Sequence, residues 1–378
     1  MSDSIPSFSD LAVIGVRGLQ PYQPGKPESE LKREYGLDDV IKLASNENPM
    51  GPGARALEAA GRALADTHRY PDGNGFDLRH ALAARHGVAP ECVTIGNGSN
   101  DVLAMVAGAF LCAGREAVFS DHAFAVYPIV TQAAGAISRS VAANASDHAM
   151  PFGHDLDAMA AAVTDATRVV FIANPNNPTG TWLQAAALRA FLERLPTTVI
   201  VVIDEAYFEY ADDPDYPDAS QWLETFPNLV VTRTFSKAHG LAGFRVGYSL
   251  SHRDVADLLN RVRQPFNVNA VAQAAAVASL ADEAYIRQAV MLNREQRGWL
   301  DAELKALGLR VLPSAANFLC FEVGPNAAAI NEALLRDGII VRPVANYDLP
   351  GFLRVTVGLP AENERFLRSL SRQLVGAA

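Results

Sequence analysis

Six short apolar runs set the limits on how this chain can fold: CVTIGNG, EAVFS, RVVFIANP, TVIVVIDEAY, NLVVTRTFSK and FRVGYSL. Alanine- and leucine-rich helical stretches, such as SNDVLAMVAGAF and LQAAALRAFLERL, separate most of them. Valine and isoleucine runs without polar alternation suit strands buried on both faces, hence a mostly parallel sheet covered by helices. From about residue 280 the texture changes. A long charged helix, EAYIRQAVMLNREQRGWLDAELKALG, leads into RVLPSAANFLCFEV, a further helix, IIVRPV and FLRVTVG. The expected fold class is α/β: a large domain with a helix-covered, mostly parallel sheet, and a smaller α/β domain from the N- and C-terminal segments. The expected boundaries are 1–44 for an N-terminal arm and part of the small domain, 45–270 for the large domain, and 271–378 for the C-terminal small domain.

Composition narrows the partners. With 378 residues, 49% hydrophobic and 20% charged, the chain reads as a soluble globular protein with room for more than one domain. A formal charge of −10 argues against a nucleic-acid partner. The longest apolar stretch, VLAMVAGAFLCAG, is too short and glycine-rich to span a bilayer, so no membrane association is expected. MSDSIPSFSD has neither a basic n-region nor a long apolar h-region, so no signal peptide is expected. Three widely spaced cysteines, Cys92, Cys112 and Cys320, suit reduced thiols in a cytoplasmic protein. The eight histidines show no close ligand spacing, so no metal is expected.

In a parallel α/β sheet, functional groups lie just beyond the carboxyl ends of the strands. Those positions offer Gly98, Ser99 and Asn100 at a helix start, Asn174 and Asn177, Asp204 and Tyr207, and Ser236 with Lys237. The C-terminal segment adds Arg342 and Arg354 at the ends of apolar runs. A lysine at a desolvated strand end has its neutral, nucleophilic form favoured and can form a Schiff base with a carbonyl. Pyridoxal phosphate is the carbonyl cofactor that such a set suits. Lys237 would take its aldehyde, Asp204 its pyridine nitrogen, and Asn177 and Tyr207 its ring oxygen. Its phosphate would need helix N-terminal amides and a charge, supplied by Gly98, Ser99, Asn100, Ser236 and Arg245. Phe124 could cover the ring face. Each residue taken alone has a plainer reading: a solvated lysine, an N-cap turn, a loop of turn formers, a core phenylalanine.

The motifs SNENPMG, YPDGNGFDLR, NPNNPTG, DEAYFEY, SKAHGLAGFRVGY and LRVTVG, in that order, resemble the fold-type I pyridoxal-phosphate aminotransferases. PYQPGKP, LASNENP and SAANFL are similar to the histidinol-phosphate aminotransferases within that group. The resemblance covers roughly residues 10–360. It implies Lys237 as Schiff-base lysine and proton carrier, with Asp204 and Tyr207 also catalytic, and Asn46, Asn177, Arg342 and Arg354 as substrate contacts. It further implies a homodimer in which Tyr70 reaches the neighbouring subunit's cofactor phosphate. The implied reaction converts L-histidinol phosphate and 2-oxoglutarate to imidazole-acetol phosphate and L-glutamate, in histidine biosynthesis. Two positions depart from the pattern: His239 stands where an aromatic residue is common, and Asn100 where an acidic one is.

Other classes fit less well. GNGSND lacks the third glycine of a dinucleotide fingerprint, which disfavours a nucleotide-binding dehydrogenase. Neither G-x-S-x-G nor a P-loop occurs. The motifs begin by residue 45, so no added DNA-binding module is expected. An aromatic amino acid aminotransferase, or a pyridoxal-phosphate decarboxylase of a phosphorylated amino acid, remains compatible with the same residues.

Overall fold

The computed structural model describes residues 8–377. Residues 1–7, part of the expected arm and of the segment read for a signal peptide, lie outside the described residues. In chain order the strands are β1 (Ile41–Lys42), β2 (Val93–Gly96), β3 (Glu116–Ser120), β4 (Ile137–Val141), β5 (Thr167–Ala173), β6 (Ile200–Asp204) and β7 (Leu229–Thr234). They continue with β8 (Gly247–Ser251), β9 (Arg310–Val311), β10 (Phe318–Glu322), β11 (Ile339–Ile340), β12 (Arg342–Pro343) and β13 (Phe352–Thr356).

All six expected runs form strands of one seven-stranded sheet, in the order β2-β8-β7-β6-β5-β3-β4. Every pairing is parallel except the two made by β8. The inner strands β5, β6 and β7 are buried on both faces, as their unbroken Val/Ile runs require. The seventh strand, β4, lacks such a run: ISRSV is an exposed edge strand paired only with β3, so hydrophobicity does not mark it. Helices pack on both faces, and fully buried side chains such as Phe171 and Phe191 fill the layers between.

The reversed strand has a consequence for the site. Because β8 runs against its neighbours, its first residue, Gly247, lies at the end of the sheet where the parallel strands finish. That brings Arg245 beside the residues that follow β2, β6 and β7. Gly247 is required there: a Cβ would lie 2.5 Å from the amide nitrogen of Ser99.

A second, antiparallel sheet, β12-β13-β10-β9, carries the helices Glu283–Ala306, Ala327–Arg336 and Pro360–Ala377 around a core that includes Leu300, Leu334, Phe321 and Phe366. β1 pairs in parallel with β11, so the N-terminal segment joins this C-terminal layer.

Next to Asp204, side-chain alternation turns Glu205 to the other side of the sheet. There the fully buried Glu205 accepts 2.9 and 2.7 Å bonds from Nε and Nη2 of Arg233. Arg233 also donates to Asp218 at 2.7 Å and lies 3.5 Å over the ring of Phe208. Removing one partner of such a pair leaves an uncompensated buried charge, which costs about 3–5 kcal/mol. Arg233→Leu is therefore expected to lower the denaturant midpoint by that equivalent, and Arg233→Leu/Glu205→Leu to recover most of it. An unchanged midpoint in the single variant would remove this pair from the stability of the sheet.

Candidate active site

A cavity of about 180 Å³ opens at the carboxyl ends of the parallel strands, between the large sheet and the C-terminal layer. Of the fourteen expected site residues, Gly98 sits at its wall and Tyr70 stands outside. The other twelve line it: Asn46, Ser99, Asn100, Phe124, Asn177, Asp204, Tyr207, Ser236, Lys237, Arg245, Arg342 and Arg354.

Lys237 follows β7 on a tight turn, and Nζ donates to the carbonyl oxygen of Ser45 at 3.1 Å. Nζ lies 5.6 Å from the ring centre of Tyr207. Burial, reinforced by the nearby Arg354 guanidinium, pushes the amine down to about 7. The lysine just beyond this buried strand thus has a substantial neutral, nucleophilic fraction near neutral pH.

Asp204 is the last residue of β6 and is 4% exposed. It accepts from the Thr232 hydroxyl at 3.0 Å and from the Tyr127 hydroxyl at 3.1 Å. Burial pushes its carboxyl up to about 6, with these hydrogen bonds acting against that rise. Among the described residues its hydrogen-bond partners are neutral, so its charge is left for something in the cavity. Tyr127 stacks on Phe171 at 4.9 Å and meets Phe124 edge-on at 5.8 Å, so one aromatic group fixes the base of the site.

A separate anion cradle forms where β2 ends. Gly98, with φ of 78°, precedes the helix Ser99–Phe110. A Cβ on Gly98 would lie 2.5 Å from Nη2 of Arg245, so the glycine admits the guanidinium to the helix start. Ser236 accepts from Thr234 at 3.0 Å and from Arg245 at 3.4 Å. Free helix N–H groups, two hydroxyls and a guanidinium make a receptor for a phosphate.

The opposite wall is also cationic. Arg342 and Arg354 stand directly across from each other on β12 and β13. Like charges placed opposite are unfavourable without an anion between or above them. Arg354 is 5% exposed, donates to Ala44 at 2.8 Å and to the side-chain oxygen of Asn177, and, among the described residues, leaves its buried Nε without a partner. Arg342 donates to the carbonyl of Gln23 at 2.7 Å. Tyr207 accepts from the Asn46 amide at 2.8 Å, and burial raises its hydroxyl well above the ordinary value.

Several wall residues lay outside the sequence reading. Tyr22 and Gly25, from PYQPGKP, close one side, and Thr234 and Ser45 line the floor. Thr232 and Tyr127 hold Asp204 without lining the cavity. The departure at His239 is buried: its ring bonds to the Ser279 hydroxyl at 2.7 Å and packs on Phe235 at 4.7 Å. Tyr70 is 83% exposed and stacks on Phe266 at 4.7 Å.

Residues 38–370 match the family model described as aminotransferase class I and II. The chain is 55% identical over 369 residues to histidinol-phosphate aminotransferase 2 of Methylococcus capsulatus, covering 98% of this chain and all of that one. It is 56% identical over 372 residues to histidinol-phosphate aminotransferase 2 of Pseudomonas fluorescens strain Pf-5, covering 98% and 99%. The crystal structure of histidinol-phosphate aminotransferase from Sinorhizobium meliloti in complex with pyridoxal-5'-phosphate superposes with a TM-score of 0.88 at 30% identity, covering 97% of this chain and 98% of that one. With a cavity of this composition and relatives that span nearly its whole length, the chain belongs to the class I and II aminotransferase family.

Proposed function

We propose that the protein transfers the amino group of L-histidinol phosphate to 2-oxoglutarate, giving imidazole-acetol phosphate and L-glutamate in histidine biosynthesis, with pyridoxal 5'-phosphate as cofactor. The observation that carries this reading is one cavity holding a depressed amine, a buried carboxyl with neutral partners, and two distinct anion receptors. A cofactor phosphate and a substrate phosphate account for both receptors. In this reading the enzyme works in the cytoplasm as a homodimer. Among the described residues, no helix is long and apolar enough to cross a membrane.

The residues present fit the cofactor. Lys237 would hold its aldehyde, Asp204 its ring nitrogen, Asn177 and Tyr207 its ring oxygen, and the Gly98, Ser99, Asn100, Ser236 and Arg245 cradle its phosphate. Phe124 would cover the ring. When bound, the group supplies an electron sink for the pair left behind when a proton leaves the substrate. The protein does the rest. Asp204 favours a protonated ring nitrogen by opposing charge. Lys237 Nζ takes the proton from the amine-bearing carbon of the substrate and can return it. Arg354 and Arg342 grip the anionic end of the substrate, Arg354 by the donor that lacks a partner. Asn46 keeps the Tyr207 hydroxyl aimed at the cavity.

Steady-state kinetics test the substrate. Turnover of L-histidinol phosphate should exceed that of phenylalanine and tyrosine, and a preference for either amino acid would overturn the assignment. Arg354→Lys should reduce kcat/KM for L-histidinol phosphate about a hundredfold, ~3 kcal/mol, while the visible absorbance of bound cofactor survives. A second test uses pH. In protein stripped of cofactor, the amine of Lys237 is protonated below about 7 and neutral above it. The rate of pyridoxal phosphate capture, followed by absorbance, should therefore rise between about pH 6 and about pH 8. A rate flat over that window would contradict the lowered amine.

The exposed Tyr70, stacked on a partly exposed Phe266, suits a side chain offered to a second copy. If each site takes Lys237 from one chain and Tyr70 from the other, co-refolding Lys237→Ala with Tyr70→Ala restores intact sites. Each variant alone should be weak. Random mixing should return roughly a quarter of wild-type sites. Activity no higher than the mean of the parents, with subunit exchange shown by mass, would place Tyr70 within its own site or outside catalysis.

A further inference from the structure

His122 lines no part of the cavity, yet three walls of the cavity meet at it. It lies two residues before Phe124, in the turn between β3 and the helix Val126–Ala133, with φ of 55°. A left-handed histidine is uncommon and persists where surrounding contacts hold it. Its ring Nδ1 lies 2.5 Å from the carbonyl oxygen of Tyr347, in the C-terminal layer. A carbonyl only accepts, so Nδ1 carries the hydrogen and donates. Its own carbonyl accepts from the Asn176 amide at 3.1 Å, beside Asn177. Its ring meets Phe152 edge-on at 5.4 Å, and Phe152 meets Phe352 edge-on at 5.7 Å, on the strand that bears Arg354. Phe152 is itself left-handed, with φ of 57°.

We propose that His122 is a positioning residue: its backbone carbonyl ties the Phe124 turn to the NPNNPTG loop, and its ring locks that turn to the C-terminal layer. The ring-covering Phe124 and the anion-gripping Arg354 then keep one fixed separation. Its loss loosens cofactor and substrate together, although it touches neither. The effect on catalysis rests on the aminotransferase reading; the mechanical link does not.

Three variants separate the donor from the backbone. Asparagine tolerates φ near 55° and places an N–H close to the position of Nδ1. Glycine relieves the backbone and removes the ring, and alanine removes the ring while keeping the strain. His122→Ala and His122→Gly are expected to weaken pyridoxal phosphate binding about fivefold and lower kcat/KM for L-histidinol phosphate about tenfold, on the scale of one lost hydrogen bond. His122→Asn should stay within about twofold of wild type in both. Hydrogen exchange on the purified protein needs no substrate. The amides of Ala123 and Tyr127, and those of Tyr347 and Asp348, should exchange faster together in the alanine and glycine variants and not in the asparagine variant. Wild-type behaviour in His122→Gly would show that backbone conformation alone matters and overturn the proposal. So would an asparagine variant as impaired as alanine, or faster exchange on only one side of the contact. Absent turnover of L-histidinol phosphate by the unaltered protein, with the exchange pattern as expected, would overturn the substrate and leave the lock standing.

Discussion

The carboxyl of Asp204 ends the fourth of seven strands, where water scarcely reaches it. Burying an acid there is unfavourable, and the fold answers the cost differently on its two sides. Behind the sheet, Glu205 meets the guanidinium of Arg233. In front, Asp204 meets neutral donors, the hydroxyls of Thr232 and Tyr127 and the backbone N–H of Ala206. A carboxyl rising to about 6 in that setting is an acid waiting for a cation. Lys237, on the neighbouring strand end, is displaced the opposite way by the same desolvation. One low-dielectric pocket therefore moves an acid up and an amine down toward neutrality, and the arrangement of the remaining residues follows from that.

Much of this was legible in the sequence because strand ends are legible. Unbroken Val/Ile runs mark β5, β6 and β7, and residues at and just after their ends line the cavity. The edge strand β4 left no such trace, because an exposed strand need not be apolar. Asn177 is readable as a polar group beyond a strand end and Arg354 as one beside an apolar run, although Arg354 lies mid-strand in β13; their contact spans 177 positions and is set by how the two sheets meet. Tyr22 has no legible role within PYQPGKP, since a tyrosine in a proline-rich segment has no period to place it. Thr232 and Tyr127 were invisible for another reason: a residue that holds a functional group looks like any other core residue until its partner's position is known.

The two cationic receptors also differ in how they are built. The Gly98 and Arg245 cradle uses backbone and a left-handed arginine from the large sheet, so it is settled once that sheet forms. The Arg342 and Arg354 pair comes from the other sheet and is in register only because β12 and β13 are. The separation between them is thus a property of how one layer sits on the other, and any contact that fixes that seating acts on both ends of a bound molecule.

The bond from Arg342 to the carbonyl of Gln23 joins residues 319 positions apart. Tyr22 and Gly25, next to Gln23, close the same wall. During synthesis, a chain that has emerged only as far as β8 already holds the amine, the acid and the phosphate cradle, but it has no roof. The segment around Tyr22, made first, gains its bond to Arg342 only when β12, made near the end, is available. The pocket wall is therefore complete only when nearly the whole chain is available.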